Sequence, residues 1–118
     1  MAGVRVLDLS TIVAGPMAAQ ILADQGAQVI KVEAPPMGDR ARYPGAVRNG
    51  VGTTFHMFNR GKRSIVLDLK TAGGIAVLKR LIGETDVLIH NVRTKAMARL
   101  GLDYASLRAA QSDLIYLS

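Results

Sequence analysis

Along the chain, short apolar runs alternate with longer stretches in which apolar residues recur at helical spacing. Residues 4–9, 28–33, 64–69 ("SIVLDL"), 86–90 ("DVLIH") and 113–118 ("DLIYLS") read as five strands. Between them, Pro16 to Ala23 reads as a helix with proline in its first turn and Gly26 just past its end. Thr71 is placed to cap a second helix that runs through Leu81, and Ile75, Leu78, Leu81 and Ile82 fall on one face of it. Two shorter helices follow, one around Ala96 to Leu100 that ends at Gly101 and one from Tyr104 to Ala110. Pro35 and Pro36 stop the second strand, and residues 36–63 carry little periodicity beyond a short helix near Phe55 to Phe58. So long an irregular connection is usually functional or mobile.

Strands alternating with helices predict an α/β fold, a Rossmann-like, mostly parallel sheet with helices on both faces. Because the pattern stops on a strand with no helix after it, the expected domain at 1–118 is apparently truncated.

Composition narrows the picture. At 118 residues and 49% apolar content the chain fits one compact domain with a real core. The formal charge of +6 favours an acidic ligand or partner. Two Phe, three Tyr and no Trp offer little for base stacking, which argues against a nucleic-acid partner. The absence of cysteine excludes disulfides, thiolate metal sites and a cysteine nucleophile. There is no run of 18 apolar residues. The expectation is a cytoplasmic chain without a membrane partner.

The turn after the first strand, "STIVAGPMA", raises the question of a dinucleotide site, with Glu33 where a ribose-binding acid would stand. Three glycines are needed for that fingerprint and only Gly15 is present, while Pro16 removes an N–H that a phosphate would use. Positive charge is the stronger signal. Arg40, Arg42, Arg48, Arg60, Lys62, Arg63 and Lys70 stand against Asp39 and Asp68 between the second strand and the second helix. Arg93, Lys95 and Arg99 follow the fourth strand. Both loops belong at the carboxyl edge of a parallel sheet, where ligands bind, and their mixture of forks and point charges suits several phosphates.

Candidates for chemistry are few. Asn91 suits capping better than ligand contact, and His90 suits packing better than catalysis, since sequence places no carboxylate to orient it. Asp8, Asp24, Asp39, Asp68 and Asp86 are single carboxylates with no pairing that sequence can show, and Ser10 has no GxSxG surroundings. No metal-ligand spacing is visible. The residues argue for binding more strongly than for reaction.

Taken in order, "RVLDLSTIVAGP", "LADQGAQVIKVEAPPMGDRAR", "NRGKRSIVLDLKT", "DVLIHNVR" and "RLGLDYASLRAAQSDLIYLS" resemble the N-terminal portion of the family III CoA-transferases. The resemblance implies coenzyme A as ligand, with no metal. Ile12 and Val13 would line the CoA site from the first turn, Leu67 and Lys70 would lie at the exit of the third strand, and Asn91, Val92, Ala96, Arg99 and Leu100 would wrap the ADP portion. It further implies acyl-CoA and carboxylic acid substrates, a homodimeric full-length enzyme, and an attacking aspartate that no residue of this chain matches. The departures are local. Ala34 stands where some members have arginine, "TAGG" where Thr-Pro-Glu-Gly is common, and "NVRTK" where Asn-Phe-Arg-Pro-Gly is common. Alternatives are the N-terminal part of an α-methylacyl-CoA racemase, or a non-catalytic basic binding module.

Overall fold

The computed structural model describes all of residues 1–118. Five parallel strands, β1 (Arg5–Asp8), β2 (Gln28–Glu33), β5 (Arg63–Val66), β6 (Val87–Ile89) and β7 (Ile115–Leu117), form one sheet in the order β5-β2-β1-β6-β7. The chain builds outward from β1 to one side, then returns to build on its other side. The strand order therefore reverses between β1 and β6, and in open α/β sheets the crevice beyond the carboxyl ends at such a point is where ligands bind.

Period-two alternation assigns each strand residue to a face. Leu7, Leu9, Val32 and Leu88 point to one side, where they pack with Leu78 and Ile82 of α3 (Ala72–Ile82), Met97 of α4 (Thr94–Arg99) and Leu107 of α5 (Tyr104–Ala110). Val6, Val29 and Ile89 point to the other side and pack against Ala19 of α1 (Ala14–Asp24). Helices on both faces of a parallel sheet are thus observed as the pattern predicts, and the sheet is parallel throughout.

Element ends differ by a few residues from the sequence expectation. Helix α1 begins at Ala14 with Pro16 inside its first turn, and Gly26 takes a φ of 96° beyond its end. The Thr71 hydroxyl accepts from the Gly74 N–H, as a cap should. Strand β5 stops at Val66, four residues before Lys70. Within the stretch expected to be irregular lie a 3-10 turn (Arg40–Arg42), a hairpin of β3 (Val47–Arg48) and β4 (Val51–Gly52), and α2 (Thr53–Asn59). The hairpin turns on Asn49 and Gly50 with φ of 51° and 77°, the positive pair that a two-residue turn of this kind requires. That dipeptide was a readable signal in the sequence. It was lost among the glycines and prolines around it.

Candidate functional site

At the carboxyl edge the α1 face of the sheet turns from apolar to ionic. Asp8 follows Val6 on β1, Lys31 and Glu33 follow Val29 on β2, and all three charged residues are buried. Such groups are retained only when paired and hydrogen-bonded. Lys31 Nζ lies 2.8 Å from Asp39 Oδ2, 3.8 Å from Asp8 Oδ2, and donates to the Ser10 carbonyl at 2.8 Å. Lys62 Nζ reaches the same cluster from the loop before β5, donating to Asp8 Oδ2 at 2.8 Å, to the Pro16 carbonyl at 2.7 Å and to Asn59 Oδ1 at 2.9 Å. The Ser10 hydroxyl and N–H both donate to Asp8 Oδ1. Burial pushes the Lys62 pKa down, against the attraction of Asp8.

Glu33 anchors a second, adjoining pair. Arg42 Nε and Nη2 donate to its two carboxylate oxygens at 2.7 and 2.6 Å, Ser64 Oγ donates at 2.6 Å, and the Asp39 N–H donates at 2.9 Å. Burial alone would raise the Glu33 pKa. The donors from Arg42, Ser64 and Asp39 outweigh it and hold the pKa at about 2. The Arg42 guanidinium also lies 3.7 Å from the centre of the Phe55 ring.

These pairs change the sequence reading of the charges. Arg42 and Lys62 are spent inside the protein, and Arg60 pairs with Asp24 at 2.7 Å. Arg63 opens β5 at the amino edge, beside Arg5, Gln28 and Glu84 around a cavity of about 490 Å³, at the opposite end of the strands from Lys70. The seven-residue basic loop is therefore not one ligand-facing cluster. Nor are the aspartates all solitary, since Asp8 and Asp39 share the buried Lys31, Asp8 also holds Lys62, and Asp24 pairs at the surface. Alternation was the available signal: Asp8 and Ser10, and Lys31 and Glu33, are each two apart with an apolar residue, Leu9 or Val32, between them.

The first turn of α1 rests directly on this cluster. A β-carbon at Gly15 would overlap the Ser10 side chain, so its single glycine serves close approach of helix and strand. Ahead of it, Ile12 has a φ of 75°, a conformation that β-branched residues avoid. The turn is pinned from two sides. The Asn91 side-chain amide accepts from the Thr11 N–H at 3.0 Å and donates to the Thr11 carbonyl at 2.8 Å, while the Ile12 N–H donates to Asp39 Oδ1 at 3.0 Å. The sequence reading of Asn91 as a capping residue is thus corrected: the Asn91 side chain caps no helix and pairs with Thr11 instead. It bridges β1 and β6 at the point where the strand order reverses.

Ile12 and Val13 are left 42% and 39% exposed by this arrangement. The other expected contacts divide by burial. Lys70, Asn91 and Arg99 are exposed, whereas Leu67, Val92, Ala96 and Leu100 are half-buried, with Leu67, Val92 and Leu100 packed on the α3 side of the core. Lys70, Arg93, Lys95 and Arg99 form no ion pair, and Arg40 beyond β2 forms none either. Hydrogen bonds join the Ile12 turn to Asn91; no such bond joins Lys70 to Arg99.

His90 is a packed residue, as expected. Its Nδ1 accepts from the Val92 N–H at 3.2 Å, its ring meets Tyr116 edge-on at 4.9 Å, and burial holds its pKa below the ordinary value.

A doubly wound α/β domain with an apolar, pinned turn and unpaired cations at its switch-point edge is the class these features define. The chain belongs to CoA-transferase family III, whose sequence profile matches residues 1–118. It is 48% identical to the succinate–glutarate CoA-transferase of Agrobacterium fabrum, over all of this chain and 31% of that protein. It is 40% identical to the acetyl-CoA:oxalate CoA-transferase of Acetobacter aceti, over 98% of this chain and 30% of that one. Among solved structures, a CAIB/BAIF family protein from Brucella suis superposes with a TM-score of 0.91 at 43% identity, covering 98% of this chain and 32% of its own. A short chain dehydrogenase/reductase family protein shares the fold alone, with a TM-score of 0.52 at 19% identity. The chain spans about 30% of the length of the family relatives it matches. No helix is long and apolar enough to cross a membrane.

Proposed function

We propose that residues 1–118 form the coenzyme A-binding domain of an acyl-CoA:carboxylate CoA-transferase, a homodimer in its full-length form. The observation that carries this reading is the carboxyl-edge turn. Asn91 locks Thr11 across the switch point, and Ile12 and Val13 stand exposed at the carboxyl edge of the sheet, the edge from which the loops bearing unpaired Lys70, Arg93, Lys95 and Arg99 also leave. An apolar wall with cations nearby matches the chemistry of coenzyme A, an adenosine bisphosphate joined through a pyrophosphate to a long, weakly polar thiol arm. Lys70 and Arg99 are assigned to the phosphates. Leu67, Val92, Ala96 and Leu100 support the loops that carry them, and Ile12 and Val13 border the arm.

Acyl-CoA and a carboxylic acid are the substrates in this reading, and the nucleophile comes from outside residues 1–118. The carboxylates support that division of labour. Asp8, Glu33 and Asp39 are buried and already engaged by cations, Asp103 caps α5 through Ser106, and the Asp68 and Asp86 carboxylates accept the backbone N–H groups of Lys70 and Arg5. A carboxylate so held is poorly disposed to attack a thioester. The names of the similar proteins favour CoA transfer over racemisation.

Calorimetric titration with coenzyme A, dephospho-CoA and NADH tests the proposal. Coenzyme A binding more tightly than dephospho-CoA is expected, because the extra 3′-phosphate meets additional cations, and the Lys70→Ala, Arg99→Ala pair should abolish that preference. Equal indifference to all three ligands overturns the reading.

A further inference from the structure

We infer that Asp39 is a positioning residue for the candidate coenzyme A site, holding the left-handed turn at Ile12 through the Ile12 N–H; the inference rests on the function proposed above. A non-glycine residue at positive φ costs free energy and persists only where its surroundings over-determine it, and isoleucine is among the least suited to that region. At Ile12 the surroundings are specific. Thr11 is held at both its N–H and its carbonyl by Asn91, the Ser10 carbonyl is held by Lys31, and the Ile12 N–H is held by Asp39 Oδ1 at 3.0 Å. Without the last bond the turn has no partner for its central N–H.

Asp39 is itself immobilised. Lys31 lies 2.8 Å from Oδ2, the Asp39 N–H donates to Glu33 Oε2 at 2.9 Å, Oδ1 also accepts from the Ala41 N–H at 2.9 Å, and the residue is 1% exposed. The loop after β2 is thereby built around a carboxylate whose remaining capacity is aimed at a turn 27 residues earlier. The consequence lies at the surface. The φ of Ile12 sets the direction in which the Ile12 and Val13 side chains leave the backbone, so Asp39 governs an apolar surface that it does not touch. A purely structural role, capping the 3-10 turn and balancing Lys31, would not need the bond to Ile12.

Amide hydrogen exchange and ligand titration on the 118-residue chain separate the two roles. In Asp39→Ala the Ile12 N–H should exchange at least ~10-fold faster while the amides of Leu7, Val29 and Leu88 keep their protection, because one local bond is lost and the sheet is not. Coenzyme A affinity should fall ~10-fold with the preference over dephospho-CoA retained, since the phosphate contacts are unaltered. Should Asp39→Ala fail to fold with Lys31 left uncompensated, the Lys31→Met, Asp39→Ala pair removes both charges and receives the same measurements. Asp39→Asn, which keeps an acceptor at Oδ1, should retain more Ile12 protection than Asp39→Ala.

Unchanged Ile12 exchange in the folded alanine variant overturns the inference, as does accelerated exchange with unaltered coenzyme A affinity. Absence of coenzyme A binding in the unsubstituted chain overturns the proposed function instead, and the exchange measurement still decides whether Asp39 holds the turn.

Discussion

On the α3 side of the sheet, Leu7, Leu9, Val32 and Leu88 meet Leu78, Ile82, Met97 and Leu107 with no charged side chain among them. On the α1 side, the apolar contact of Val6, Val29 and Ala19 reaches the carboxyl edge only at Ile89, which is in register with Asp8, and the rest of the carboxyl half is occupied by Asp8, Lys31, Lys62, Asp39, Glu33 and Arg42. The first kind of surface is non-directional. Its stability follows the area removed from water, and similar apolar side chains can replace one another. Directional contact characterises the second: each ion fixes the atoms it bonds, down to the carbonyls of Ser10 and Pro16 and the N–H of Ile12. The directional half lies beneath the edge assigned to the ligand, and there a polar core can hold a backbone turn in a shape that apolar packing would not select.

The comparison breaks first, and most strongly, at Asp8. Replacing it by alanine strands Lys62 and weakens the hold on Lys31, and loss of one partner from a buried ion cluster costs about 3–5 kcal/mol. Leu88→Ala on the other face should cost about 2–5 kcal/mol as a cavity. The two are told apart by their remedies. Asp8→Leu combined with Lys62→Met should regain much of the loss, because both buried charges go together. Leu88→Met should cost less than about 1.5 kcal/mol as a volume-conserving swap. Urea unfolding measures all four variants. Equal losses for the single and double changes at Asp8 and Lys62 would remove the ionic account of the α1 face.

Acid sharpens the same contrast. The Glu33 carboxyl has its pKa lowered from 4.5 to about 2 on folding. A depressed folded-state pKa contributes stability that is present above the unfolded value and lost as pH falls through the folded one. The contribution is therefore complete above about pH 5 and gone near pH 2, and at 1.36 kcal/mol per unit it amounts to about 3 kcal/mol. Thermal unfolding followed across that window should show the decline, and Glu33→Gln should flatten it while lowering stability at pH 7. A decline of undiminished depth in the Glu33→Gln variant would mean that other carboxylates carry the acid sensitivity.

Much of the apolar architecture could be read before any coordinates, because periods of two and of three to four residues report faces directly. The runs at Val4 to Leu9 and Gln28 to Glu33, the Thr71 cap and the α3 stripe all stand where the pattern put them. The ionic half was harder. Which lysine meets which aspartate depends on contacts between distant segments, such as Lys62 with Asp8, 54 residues apart, and Asp39 with Ile12, 27 residues apart. Sequence spacing does not encode these. It showed charges in a loop and let them all face a ligand, although Arg42 and Lys62 face the protein itself and Arg60 pairs with Asp24 at the surface. Asn91 was equally opaque, because an asparagine at a strand exit looks the same whether it caps its own turn or clamps a neighbouring one.

The smallest effect tests whether burial, and not ion pairing as such, distinguishes the two faces. Arg60 and Lys62 are two residues apart in one loop, and each reaches an aspartate, at 2.7 and 2.8 Å respectively. Distance does not separate them. Exposure does: the Arg60 and Asp24 side chains are 62% and 42% exposed, the Lys62 and Asp8 side chains 1% and 0%. Water solvates and screens the first pair, so Arg60→Ala should cost no more than about 0.5 kcal/mol, and less at high salt. Lys62→Ala leaves Asp8 with only Lys31 as counter-charge, at 3.8 Å, and removes the donor that the Pro16 carbonyl and Asn59 share. It should cost several times more, about 3 kcal/mol, with little dependence on salt. Denaturant titrations of both variants at low and high ionic strength measure the difference. Similar costs, or similar salt responses, would mean that the loop holds its aspartates by charge alone, and that the dry carboxyl half of the α1 face has no special claim on the turn above it.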